Sequence, residues 1–230
     1  MTEPLFVIPL WADLVAVGLG GVQGALFASG FRGERRLDFL GVAVIGIVMG
    51  MGGGLIRDLL LNVELATLHS NWYLITATLA ALVGMLLAGV FQRLNSVIVG
   101  LDALVIGLFG AFGTSKALAI GLPAVPAVFV GVCAAVGGGI LRDMMMGLPV
   151  AIMHVGSLYA VAAGVGCTVL ALAHALGAPL VAAAIAGVIV TTVIRLLAVI
   201  FDVSLPEQRM LHRRKVAVET TGIPIIRPEA

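Results

Sequence analysis

Two stretches of this chain carry charge where charge is expensive: Gly52-Gly53-Gly54-Leu55-Ile56-Arg57-Asp58 and Gly137-Gly138-Gly139-Ile140-Leu141-Arg142-Asp143. Each sets an Arg-Asp pair about one turn beyond three glycines, inside an otherwise apolar run. A charge within a membrane span costs at least ~2.5 kcal/mol unless it is paired or hydrated, so both pairs should find partners or line a wet cavity. Three mid-span glycines weaken a helix by roughly 1 kcal/mol each against alanine, and they leave carbonyl and N–H groups that lipid cannot satisfy. The chemistry this suggests is passage of a small ion or solute at paired helix breaks, with no bond made or broken. The plainer reading of the glycines is close helix packing. For the charges it is an arginine snorkelling to the interface and an aspartate capping a helix. Neighbours along a helix do not face each other, so Arg57 need not pair with Asp58 itself. Each aspartate should sit beside the start of a second half-helix, where its charge suits the dipole.

Further charges occupy the ends of apolar runs. Asp13 and Asp102 could attract cations to opposite mouths of a pore, or could simply complement a helix N-terminus. Lys116 could gate the path or block anions, or could snorkel to the interface. Arg195 needs an internal acidic or carbonyl partner that the sequence does not name. His69, His154 and His174 show no metal-ligand spacing and suit an interface. Cys133 and Cys167 sit in apolar runs and suit small buried positions, with no disulfide or metal framework expected. No nucleophile and base are arranged for catalysis, so an enzyme is not expected.

The elements that must position these groups are membrane spans. The chain has 230 residues, 61% of them apolar and 11% charged, whereas soluble domains carry roughly 25% charged residues. A chain this short could not hide so much apolar surface from water. The formal net charge of +1 gives no nucleic-acid footprint. Runs near the ~20 residues needed to cross hydrocarbon divide the chain into Pro9 to Phe31, Phe39 to Leu61, Trp72 to Phe91, Val97 to Leu118, Ala124 to Leu148, His154 to Ala175 and Pro179 to Phe201. The first run is longer than a signal-peptide core and reads as a retained span. Pro123, Pro126, Pro149 and Pro179 fall at or just inside span ends, where a missing N–H costs little.

Basic residues set the orientation. With about seven crossings, Arg32, Arg35, Arg36, Arg93, Arg209, Arg213, Arg214 and Lys215 share one side, and the other side has little beyond Lys116. The positive-inside rule then puts the C-terminus in the cytoplasm and the N-terminus outside. The tail over 202–230 is too polar to span, and its basic cluster could also meet anionic lipid head groups.

The doubled motif extends into a repeat. Asp13, Gly18, Gly21 and Gly24 match Asp102, Gly107, Gly110 and Gly113 in spacing, and Tyr73 matches Tyr159. Repeat one covers about 9–91 and repeat two about 97–175, with a seventh helix at about 179–201. Three helices is an odd number, so the second copy enters the membrane from the opposite side and the two form an inverted pair.

With its two GGGxxRD motifs, three-plus-three inverted spans and a seventh helix, the chain resembles prokaryotic members of the trimeric intracellular cation (TRIC) channel family. The likeness covers about Pro9 to Phe201, and the doubled motif is shared with bacterial proteins of the same domain family described as glycine transporters. The resemblance implies an all-α homotrimer with a hydrophilic pore in each protomer, permeable to monovalent cations and to potassium above all. It also implies that Gly52, Gly53, Gly54, Gly137, Gly138 and Gly139 shape the pore, and a bacterial cytoplasmic membrane as its location. The KEV tripeptide tied to phosphoinositide binding in animal members does not occur here. No TVGYG-like filter is present either, so selectivity among monovalent cations is expected to be modest. The expected reading is a potassium-permeable channel whose vestibules carry Asp13, Arg57, Asp58, Asp102, Lys116, Arg142 and Asp143. The alternative is a secondary transporter of a small neutral amino acid such as glycine. Neither reading calls for a cofactor, bound lipid being the one non-protein group left open, and neither involves nucleic acid.

Overall fold

In hydrocarbon every backbone polar group must be satisfied within its own segment, and the apolar runs accordingly become helices. The computed structural model describes residues 8–31, 37–91, 95–153 and 158–204. Its helices are α1 (Leu10–Ser29), α2 (Phe39–Leu60), the short α3 (Ala66–His69), α4 (Asn71–Phe91), α5 (Asn95–Ala119), α6 (Ala124–Met145), α7 (Tyr159–Ala175) and α8 (Leu180–Ile200). A single 3₁₀ turn covers Ala151–Met153. Six of these helices are long and apolar enough to cross a membrane, and α7 is a shorter apolar helix of 17 residues. The protein is an all-helical, multi-pass membrane protein. Of the orientation signals and connectors, Arg32, Glu34, Arg35, Arg36, Arg93, His154, Arg209, Arg213, Arg214 and Lys215 lie outside the described residues.

Local chemistry accounts for the helix ends. Pro9, Pro123 and Pro179 stand at the N-caps of α1, α6 and α8, where the missing N–H costs nothing. Asp38 caps α2 through its carboxylate, which accepts the Gly41 N–H at 2.7 Å. α2 and α6 finish in the same way. Asn62 (φ 51°) and Gly147 (φ 63°) take the left-handed conformation. The following N–H groups of Val63 and Leu148 then reach back to the carbonyls of Asp58 and Asp143 at 3.1 and 2.9 Å. This is the Schellman closure of a helix end, and it stops α6 at Met145, short of the expected Leu148.

The glycine triplets do not break their helices. α2 and α6 are continuous through residues 52–54 and 137–139, so the expected helix breaks in the second and fifth spans are not present. The reason is contact between helices. A Cβ at Gly138 would stand 2.5 Å from the Met49 carbonyl oxygen, and one at Gly53 would stand 2.5 Å from that of Ala134. One at Gly52 would reach Leu141 Cδ1 at 2.8 Å. The triplets let α2 and α6 cross backbone to backbone, a dispersion-rich contact that offsets their poor helix propensity.

Around this crossing α1 packs on α2, α4 and α5, and α5 packs on α6, α7 and α8. Small residues set those distances too: Gly84 abuts Val22, Gly107 abuts Val188, and Gly113 abuts Gly131. Val181, Ile185, Ile189, Val193 and Leu197 form an exposed apolar stripe along α8, suited to lipid or to another subunit.

The crossing makes a direct prediction. Gly138→Val should destabilise the protein by about 1–3 kcal/mol or more through overpacking, whereas Gly100→Ala, with no atom within 4 Å of the added Cβ, should be neutral or stabilise α5 by up to ~1 kcal/mol. Melting of the detergent-solubilised protein would show the difference, and equal melting of the two variants would remove the tight crossing.

Candidate functional site

The first Arg-Asp pair lies in the last turn of α2, not at the start of a half-helix as expected. An arginine there suits the negative end of the helix dipole, but an aspartate does not and needs compensation. Arg57 supplies it by curling back onto its neighbour: Nε donates to Asp58 Oδ1 at 2.7 Å and Nη2 to Oδ2 at 3.2 Å. Arg57 thus pairs with its own sequence neighbour, a pairing that helix geometry alone does not require. The facing rule describes where Cβ atoms point, and the arginine stem is long enough to evade it. Asp58 is fully buried and takes two more donors, Lys116 Nζ at 2.7 Å on Oδ1 and the Ala66 N–H at 2.9 Å on Oδ2. The Ala66 bond fastens the end of α2 to the start of α3.

The remaining edge of Arg57 turns to α1. Nη1 and Nη2 lie 3.4 and 3.5 Å from the two oxygens of Asp13, and the Tyr73 hydroxyl donates to Asp13 Oδ2 at 2.8 Å. Asp13 does stand in the first turn of α1, as the dipole reading expected, but it is also neutralised by Arg57. Asp13, Arg57, His69, Ser70, Tyr73 and Lys116 line a cavity of about 370 Å³. Lys116 does not snorkel away; its side chain, 24% exposed, bridges the cavity wall to Asp58.

The second pair reproduces part of this arrangement at the end of α6. Arg142 Nε and Nη2 donate to Asp143 Oδ1 at 2.9 and 2.7 Å, and Asp143 Oδ2 accepts the Ala151 N–H at 3.0 Å. In both pairs the aspartate holds the N–H eight residues further on. The surroundings differ. Arg142 has the Phe27 ring 3.8 Å from its Cζ, a cation–π contact, and the Met49 sulfur 4.0 Å from Nη1. The space beside Gly139, Arg142, Asp143 and Tyr159 is only about 10 Å³, barely one water.

Asp102 lies more than a turn inside α5, which starts at Asn95, so it does not complement the helix N-terminus. Arg195 of α8 donates to its Oδ2 from Nε at 3.2 Å and Nη2 at 3.0 Å, and Gln23 Nε2 donates to Oδ1. This is the partner of Arg195 that the sequence could not name. Arg195 also stands over the Tyr159 ring, 5.1 Å from its centroid. Neither Asp13 nor Asp102 is a free carboxylate at a mouth; each already holds a guanidinium.

The structure thus brings Asp13, Arg57, Asp58 and Lys116 together around one cavity, joins Arg142 to Asp143, and places Asp102 in a third cluster. At the glycine crossing the Phe109 ring packs on Gly53. Sequence reasoning missed Gln23, Phe27 and the hydroxyl of Tyr73. Gln23 carries a signal, being an amide in an apolar span; Phe27 carries none. Exposed His69 faces Glu64 at 3.6 Å, and His174 Nδ1 lies 3.2 Å from the Ala178 carbonyl. Cys167 is buried and Cys133 partly so, both as free thiols. Among the described residues, no group of three or more His, Cys, Asp or Glu could hold a metal.

The sequence pattern of a family described as glycine transporter matches residues 10–89 and 99–175. A UPF0126 membrane protein of Deinococcus radiodurans is 36% identical over 158 residues, covering 68% of this chain and 72% of its own length. The UPF0126 inner membrane protein YadS of Escherichia coli K12 is 32% identical over 199 residues, covering 85% and 94%. Among solved structures, a TRIC trimeric intracellular cation channel orthologue from Rhodobacter sphaeroides superposes with a TM-score of 0.76 at 30% identity, covering 84% of this chain and 98% of its own. A second TRIC cation channel gives 0.76 at 29% identity, covering 88% and 98%.

The unequal loads on the two aspartates predict unequal costs. Asp58→Ala strips buried Arg57 and half-buried Lys116 of their carboxylate and should cost about 3–5 kcal/mol, whereas Asp143→Ala, which strips one cation, should cost less. Denaturation midpoints of the two variants would measure this, and a larger loss for Asp143→Ala would contradict the assigned network.

Proposed function

Given that the chain belongs to the family of bacterial membrane proteins described as glycine transporters, and has the fold of solved TRIC cation channels, we propose that it forms a pore for monovalent cations, potassium among them, within each protomer. The observation that carries this reading is the cavity of about 370 Å³ lined by Asp13, Arg57 and Lys116. Buried charges on this scale are costly in a membrane and mark an ion or solute path. The three-helix repeat and its inversion belong to the same reading, supported by the matched Arg-Asp pairs and the matched closures of α2 and α6. With the N-terminus outside, the cavity opens outward and the Arg142 site faces the cytoplasm.

Phe109 and Met49 are buried beside the α2–α6 contact, and on this reading conduction needs α2 and α6 to separate. A close backbone contact held by glycines can do that without dragging large side chains through one another. Gating is therefore placed at Gly52 to Gly54 and Gly137 to Gly139, by parting two helices and not by bending broken ones. Assembly as a homotrimer is proposed by analogy with the trimeric Rhodobacter channel, and the apolar stripe of α8 is suited to subunit or lipid contact. The protein is a conduit, not an enzyme.

A second reading, transport of a small amino acid such as glycine, is favoured by the family's description. It would use the same cavity.

Flux from liposomes holding the purified protein separates the two. A potassium flux that follows voltage without saturable glycine exchange supports the channel; saturable glycine exchange without cation leak replaces it with a carrier. For the channel, Asp13→Asn should lower potassium flux at low ionic strength on the order of threefold, with the effect shrinking as salt screens the charge. Unchanged flux at low salt would take Asp13 out of the path.

A further inference from the structure

The cavity offers hydrogen-bonding capacity of both signs that the protein itself leaves unused. Asp58 is saturated, since its two oxygens already receive Arg57 Nε, Lys116 Nζ, Arg57 Nη2 and the Ala66 N–H. Lys116 commits one of its three N–H donors to that carboxylate. Its side chain is still 24% exposed on the cavity wall, leaving donors for a guest.

Asp13 is the complement. Its Oδ2 is held by the Tyr73 hydroxyl at 2.8 Å, but among the described residues its Oδ1 meets only Arg57 Nη1 at 3.4 Å, well beyond the ~2.7–2.9 Å of a strong charge-assisted bond. That oxygen keeps accepting capacity, and Asp13 lines the same cavity. Tyr73 positions it by fixing the other oxygen.

Charge balance then selects the guest. Arg57 and Lys116 offset Asp13 and Asp58, so the four groups sum to zero. A guest with one net charge would unbalance a poorly solvated site, while one carrying both charges would not. A bare cation would also share the cavity with the Lys116 ammonium. The volume of about 370 Å³ falls within the ~300–1,000 Å³ of small-molecule pockets.

We infer that this cavity is a binding site for a small zwitterion of the amino-acid type, with Lys116 anchoring its carboxylate and Asp13 its ammonium group. This deepens the second reading above and rests on it, assigning the charged ends of the solute to named side chains.

The test is calorimetric titration of the purified full-length protein in detergent with glycine, acetate, methylammonium and potassium chloride in turn. The expected result is saturable glycine binding, with acetate and methylammonium each weaker by about tenfold or more. Lys116→Met should weaken glycine by about tenfold, and Lys116→Arg should retain most of the binding. Methylammonium or potassium binding as tightly as glycine, absence of saturable glycine binding, or unchanged glycine affinity in Lys116→Met would each overturn the site. If Lys116→Met does not fold, the ligand series on the parent protein decides alone. Potassium flux is scored separately: flux without glycine binding overturns the site and leaves the channel, while glycine binding without flux keeps the site and removes the pore.

Discussion

A carboxylate at the wrong end of a helix organises much of this molecule. Asp58 and Asp143 sit in the last turns of α2 and α6, against the helix dipole and inside a membrane-spanning fold. Neither could stay there ionised without compensation, and each recruits the arginine beside it and the backbone of the next segment. The consequences spread outward. Through Ala66 and Ala151 the same side chains dictate where α3 and the 3₁₀ turn begin, and through Lys116 and Arg57 the first one joins α2 to α5 and α1.

The glycine crossing answers a different need. Helices in lipid gain little from burying apolar groups, because lipid is already apolar, so they associate through close packing. Two triplets facing each other bring the backbones of α2 and α6 to the contact limit at the centre of the bundle. Much of that contact is therefore made by backbone atoms.

The spans, the doubled motif and the groups that bear charge could all be read from the sequence, because hydropathy and composition are local properties. The partners could not. Lys116 reaches Asp58 across 58 positions and Arg195 reaches Asp102 across 93, and no spacing rule covers such distances. The triplets were ambiguous for a physical reason: a glycine both frees the backbone and admits a neighbour, and only the neighbour's position decides which effect operates. Here Met49, Ala134 and Leu141 are close enough that the helices stay whole. The pairing of Arg57 with its own neighbour is likewise invisible to a rule for Cβ directions, because its side chain is long enough to double back.

The two ends of the fold are built from corresponding motifs but not finished alike. One Arg-Asp pair is met by the ammonium of Lys116 beside an open cavity, and the other by the flat ring of Phe27 in a nearly filled space. An ammonium repels an approaching cation and can swing aside in an electric field; a ring stacked on a guanidinium carries no net charge for the field to pull. Any path joining these ends would present different barriers to traffic from the two sides, so that current of one polarity would exceed the other at equal and opposite voltage. A sequence that almost repeats itself would thereby yield a rectifier, with its polarity decided by one lysine standing where the other end has a phenylalanine.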